Sequence, residues 1–166
     1  LTGSIEAGQR SRLEKAFLMK HPNLNRLKSK ADAALIAFLN RWPADEGDGL
    51  YAPVHYLMQL GGKRLRAVLA LSAAEAEGRP LDVAMPGAMG VELFHNFTLM
   101  HDDIMDEAPK RRGQDTVHTK WDDSTAILSG DAMYTLAHIA FLELDVQVLP
   151  RALQLFNQTA LEVCLG

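Results

Sequence analysis

Three carboxylates fall within the short segment His101-Asp102-Asp103-Ile104-Met105-Asp106. On a helix, Asp102 and Asp106 lie four residues apart on one face, with a rise of about 6 Å between them. Asp103 sits three residues before Asp106. The spacing therefore predicts three carboxylates converging at the C-terminal end of a helix. The helix dipole is negative there and like charges repel, so the cluster needs compensation. A hard divalent cation supplies it. Mg²⁺ takes oxygen ligands, keeps several waters and bridges protein carboxylates to substrate phosphates. In this reading the acids hold metal and are not asked to move protons. The competing reading is a helix end with solvated acids. The apolar run Val91-Glu92-Leu93-Phe94 just upstream favours a pocket over an open surface.

Cationic groups accompany the acids. In Gly61-Gly62-Lys63-Arg64-Leu65-Arg66, glycines precede an expected helix start that carries Lys63 and Arg66 three residues apart. Free N–H groups, a positive dipole end and two cations suit an anion. The alternative is a flexible turn with solvated charges. Lys110-Arg111-Arg112-Gly113 follows the acidic cluster and either pairs with it or grips phosphates, for which arginine is well shaped. His95 lies two helical turns before Asp102 on the same side. The other histidines, His21, His55, His101, His118 and His138, read as ordinary core or surface residues. Metal-holding acids with phosphate-holding cations imply a polyphosphate substrate. No GxxxxGK[ST] loop is present, which argues against a P-loop nucleotide enzyme.

These groups must be positioned by helices. Apolar spacing predicts helices over about 9–20, 24–41, 50–60, 63–77, 83–106 and 124–144, and a last one that has Pro150 in its first turn and reaches the end of the chain. Asp82 and Ser124 are candidate N-caps. Pro43 to Gly49 reads as a loop and Lys110 to Gln114 as a basic loop. Gly87 and Gly90 lower helix propensity but permit close packing. No alternating strand pattern or repeat is evident, so the expected fold is all-α in a single domain over 1–166. A net charge of −4 gives no reason to expect nucleic acid. One cysteine, Cys164, excludes an internal disulfide and fits a cytoplasmic setting. No apolar run is long enough for a transmembrane segment, and the N-terminus lacks a signal-peptide layout. The first residue is not Met, and the helical pattern still runs at Gly166. The first fits either an excerpt of a longer chain or a processed one, and the second suggests truncation.

GGKRLR, VELFHNFTLMHDDIMD, KRRG, TVH and ILSGDAMY occur here in the order and spacing of trans-isoprenyl diphosphate synthases, and the chain resembles the N-terminal half of that family over about residues 50–166. The resemblance implies an isoprenoid synthase-type helical bundle around a central pocket. It implies Mg²⁺-dependent condensation of isopentenyl diphosphate with an allylic diphosphate through ionisation, condensation and proton loss. It assigns Lys63, Arg66 and His95 to the diphosphate of isopentenyl diphosphate. Asp102, Asp103 and Asp106 become the first aspartate-rich motif, with Asp102 and Asp106 as metal ligands. Arg111 is assigned to the allylic diphosphate and Arg112 to isopentenyl diphosphate. A homodimer is implied, and the apolar stretch Thr125 to Leu144 is a candidate interface.

Two positions depart from the family pattern: Ala67 and Asp115 stand where prolines are common. The family's second aspartate-rich motif has no counterpart here, since no third acid follows Asp122-Asp123 at the required spacing. The 166 residues alone are therefore expected to be inactive. In the family a bulky residue five positions before the first motif floors the prenyl tunnel. Here that residue is Phe97, followed by Thr98, which implies a C20 product with C15 next. On a helix Thr98 lies about 40° from Asp102, and Phe97 about 140°. The competing assignments are a class I terpene cyclase, which shares DDxxD but needs no GGKRLR or His95, and a non-catalytic regulatory subunit, which would not need an intact acidic cluster.

Overall fold

A computed structural model of the chain describes residues 21–44 and 49–165. The helix expected over 9–20 and the middle of the Pro43–Gly49 loop lie outside the described residues. The described elements are α1 (Pro22–Leu39), α2 (Tyr51–Gln59), α3 (Leu65–Ala76), α4 (Leu81–Met105), a two-stranded ribbon of β1 (Lys110–Arg111) and β2 (Gln114–Asp115), a single turn α5 (Val117–Lys120), α6 (Asp123–Phe141) and α7 (Leu149–Leu165). The all-α expectation holds apart from the ribbon.

The long helix α4 is the spine. It packs along α6, and Gly90 sets how close they come: a Cβ there would lie 2.5 Å from the Phe141 ring and 3.1 Å from the Ala137 carbonyl. Its lower propensity is thus exchanged for a tight helix–helix contact. Pro86 lies inside α4 near its start and denies a partner only to one early carbonyl, so the helix continues through it. Leu93, Met133, Leu136, Ala137 and Ala140 are buried in the main core, which α1, α2 and α7 close with Leu35, Phe38, Val54, Leu57 and Phe156. A second core of Leu27, Ala31, Ala67, Val68, Leu71 and Ala88 joins α1, α3 and α4.

The structure revises several local expectations. α3 begins at Leu65, not Lys63, because Gly61, Gly62 and Arg64 all hold positive φ and break the helix. α4 starts at Leu81 after Pro80, so Asp82 lies in the first turn and is not its cap. Asp122, and not Ser124, caps α6: its Oδ1 accepts from the Thr125 N–H at 2.7 Å. Pro150 does fall in the first turn of α7.

Candidate active site

The C-terminal end of α4 places the acidic cluster. Ala108 N–H donates to the Asp103 carbonyl at 2.9 Å and Glu107 N–H to the Ile104 carbonyl at 3.1 Å, with Glu107 at φ 49. This is a Schellman termination, and it reverses the chain just beyond the acids. The reversed chain forms the β1–β2 ribbon, with Lys110 opposite Asp115 and Arg111 opposite Gln114. Its two-residue turn is Arg112-Gly113, at φ 55 and 81, the pair of positive φ values that a tight hairpin requires. Tyr56 Oη donates to the Asp115 carbonyl at 2.7 Å and ties the ribbon to α2. The stretch expected to be a basic loop is an ordered hairpin, its glycine set by turn geometry.

The hairpin returns Arg111 to Asp103. Arg111 Nε and Nη2 donate to the two Asp103 oxygens at 2.7 and 2.8 Å, a two-pronged pair. Asp103 is 4% exposed. The expected convergence of three carboxylates is thus corrected: Asp103 is turned inward and neutralised by Arg111, while Asp102 and Asp106 are exposed. Those two share a face, since Asp106 N–H donates to the Asp102 carbonyl at 2.8 Å. Among the described residues no three His, Cys, Asp or Glu side chains form a ready metal cage. Asp102 and Asp106 offer hard oxygen donors one turn apart, a donor set that fits a cation completing its shell with water and phosphate.

The hairpin also carries Arg112 to the GGKRLR loop. A Cβ on Gly62 would stand 3.0–3.1 Å from the Arg112 guanidinium, so the bare backbone of Gly62 seats this arginine. His95, half-buried on α4, feels both segments. Its imidazole is pushed down from 6.5 to about 4, first by burial and then by the charges of Arg66, Arg112, Arg111 and Arg64. His95 is therefore neutral near pH 7 in a strongly cationic pocket. Lys63 and Arg66 are exposed. The expected open anion site at the α3 N-terminus is modified, because the Ala67 N–H already donates to Glu92 Oε2 at 3.3 Å.

Phe97 packs against Phe94, Tyr134 and His101, with ring centroids 5.6, 5.3 and 4.7 Å away. It lines an open cavity of about 490 Å³ together with Phe94, Tyr134, Ala160 and Leu161. Thr98 instead donates its hydroxyl to the His95 carbonyl at 2.8 Å. His101, read as unremarkable in the sequence, is wedged against α6: its Nε2 lies 3.2 Å from the Ile127 carbonyl, in space that a Cβ on Gly130 would occupy. The network of half-buried Asp32 with buried Arg64 and Glu92 escaped sequence reasoning. Glu92 had a signal, as the lone acid of an apolar run.

The family model for polyprenyl synthetases matches residues 48–166. A geranylgeranyl diphosphate synthase of Methanosarcina mazei is 42% identical over 141 residues, covering 83% of this chain and 42% of the relative. A (2E,6E)-farnesyl diphosphate synthase of Mycobacterium bovis is 44% identical over 105 residues, 63% of this chain and 29% of the relative. A solved geranylgeranyl pyrophosphate synthase shares the fold with a TM-score of 0.80 and 48% identity, over 85% of this chain and 42% of that one. The chain thus spans less than half the length of these relatives. With the family model matching 119 of its 166 residues (48–166), the chain belongs to the polyprenyl synthetase family.

Proposed function

We propose that the protein is a trans-prenyltransferase that condenses isopentenyl diphosphate with an allylic diphosphate to a longer linear prenyl diphosphate. The observation that carries this reading is the meeting of the GGKRLR loop and the Arg111-Arg112 hairpin around His95, beside the exposed Asp102 and Asp106. Lys63, Arg66, Arg112 and His95 hold the diphosphate of isopentenyl diphosphate. Asp102 and Asp106 hold Mg²⁺, which when bound neutralises the oxygens of the allylic diphosphate. Arg111, anchored on Asp103, presents its remaining N–H groups toward that diphosphate. The cations stabilise the negative charge that grows as the allylic C–O bond breaks. The isopentenyl double bond then attacks the allylic carbon, and the proton lost afterwards goes to the released diphosphate, so no side-chain base is required.

The relatives' names, geranylgeranyl and farnesyl diphosphate synthase, support a C20 product with C15 next. Phe97, lining a mostly apolar cavity with Phe94, Tyr134 and Leu161, supports a short-chain floor. A homodimer in the cytoplasm completes the proposal. Exposed Ile127 and Leu128 on α6 support an interface there, and no helix among the described residues is long and apolar enough to cross a membrane.

The test supplies labelled isopentenyl diphosphate, geranyl or farnesyl diphosphate and Mg²⁺ to the longest protein containing this chain, with the 166 residues assayed beside it. Linear C15 or C20 diphosphates, lost on adding chelator and absent with the 166 residues alone, are expected. No elongation by the intact, folded protein would sink the proposal.

A further inference from the structure

Beneath the cationic loop lies a set of charges that none of the proposed ligand contacts uses. Arg64 is 5% exposed and sits in the left-handed conformation just before α3. Its Nε donates to Asp32 Oδ1 at 2.8 Å, and its Nη2 to the Met58 carbonyl at 2.8 Å. Its Nη1 is buried without a hydrogen bond, 3.8 Å from Glu92 Oε1. Glu92 is 3% exposed, and its other oxygen takes the Ala67 N–H at the start of α3. Burial works against ionisation of Asp32, but hydrogen bonds from Arg64 and Lys28 outweigh it and hold its carboxyl below the ordinary range.

Burying ions is costly unless partners repay it, and such a network rarely adds net stability. Its geometry points to another use. With Arg64 pinned inward, Lys63 and Arg66 on either side are left exposed. Glu92 precedes His95 by one turn of α4, so a single rigid helix holds both the underside of the loop and the imidazole that faces it. Glu92 also caps α3 from another helix, taking one of the N–H groups that a helix start leaves unpaired.

We infer that Asp32, Arg64 and Glu92 are positioning residues that hold the loop Gly61–Arg66 in register with His95 and so set its affinity for a diphosphate group. This rests on the function proposed above for that loop. The test compares Glu92→Gln and Glu92→Leu with wild type in the longest protein containing this chain. Glu92→Gln keeps an acceptor for the Ala67 N–H but removes the second acid beside Arg64. It is expected to weaken binding of inorganic diphosphate about tenfold by calorimetry and to raise KM for isopentenyl diphosphate in parallel, with kcat within about twofold. Glu92→Leu removes the acceptor, and amide exchange over 65–68 should quicken while α6 is unchanged. A lowered Tm with unchanged diphosphate affinity and KM in Glu92→Gln would overturn the inference and leave the network a purely structural one. If wild type neither binds diphosphate nor elongates, the functional reading fails separately. Exchange then decides alone: faster exchange upholds the positioning of the loop, and unchanged exchange overturns it.

Discussion

Gly62→Ala probes the joint between the two cationic segments. Gly62 holds φ +149, a conformation only glycine adopts readily, and its added Cβ would meet the Arg112 guanidinium at 3.0–3.1 Å. Gly61 is the internal control. It holds φ +73, and its added Cβ would meet nothing within 4 Å. Backbone strain alone costs roughly 1–3 kcal/mol at such a position. For a chain of this size each kcal/mol lowers Tm by about 2–4 °C, so both variants should melt roughly 2–12 °C below wild type. The variants part at the guanidinium. Gly62→Ala must also push Arg112 off its seat, whereas Gly61→Ala leaves it in place. A shift of a few tenths of an ångström in a diphosphate-holding arginine is expected to raise KM for isopentenyl diphosphate about tenfold in Gly62→Ala, against less than about twofold in Gly61→Ala. Thermal melts of the 166-residue variants and steady-state kinetics of the same two substitutions in the longest protein containing this chain check this. Equal KM values in two folded variants would refute the seating of Arg112 on Gly62.

The two acids that begin the cluster should separate stability from activity. Asp103→Asn strips Arg111 of its buried partner and should lower unfolding free energy by about 3 kcal/mol in denaturant titration, while Asp102→Asn, exposed, should change it by less than about 0.5 kcal/mol and still abolish turnover. His95 is held at about 4 against an ordinary 6.5, so between those values the unfolded chain binds a proton that the native chain does not. Stability should therefore rise with pH across about 4–6.5 and be fully present above it, and His95→Asn should flatten that slope in melts taken across the window. Diphosphate binding should draw a proton onto His95, seen as buffer-dependent calorimetric enthalpy near pH 6. Phe97→Ala should lengthen the products resolved by chromatography, and an unchanged distribution would reject Phe97 as the floor of the cavity.

Helical periodicity made the α-helical class readable, most plainly in α1, where Leu27, Ala31, Leu35 and Phe38 recur at helical spacing and are all buried. The ends were less legible. α3 starts two residues late because backbone φ at Gly61, Gly62 and Arg64 breaks it, and no periodicity reports φ. The Arg112-Gly113 turn could be read only as a basic loop, since a ribbon of two-residue strands is too short to alternate.

Sequence alone determined the chemistry on offer: acids four apart on a helix, two cationic segments, a histidine two turns upstream and the motif order of the family. Tertiary structure decided which of those charges remain available. It turned Asp103 inward to Arg111 and left Asp102 and Asp106 open. It buried Arg64 while its neighbours Lys63 and Arg66 stayed exposed, and set Arg112 on Gly62. The physical reason is distance along the chain. A run of charges states its residue types, but the partner of each lies 8 residues away for Arg111, 32 for Arg64 and 50 for Arg112, and only the packing of α1, α3 and α4 with the hairpin brings those partners within reach.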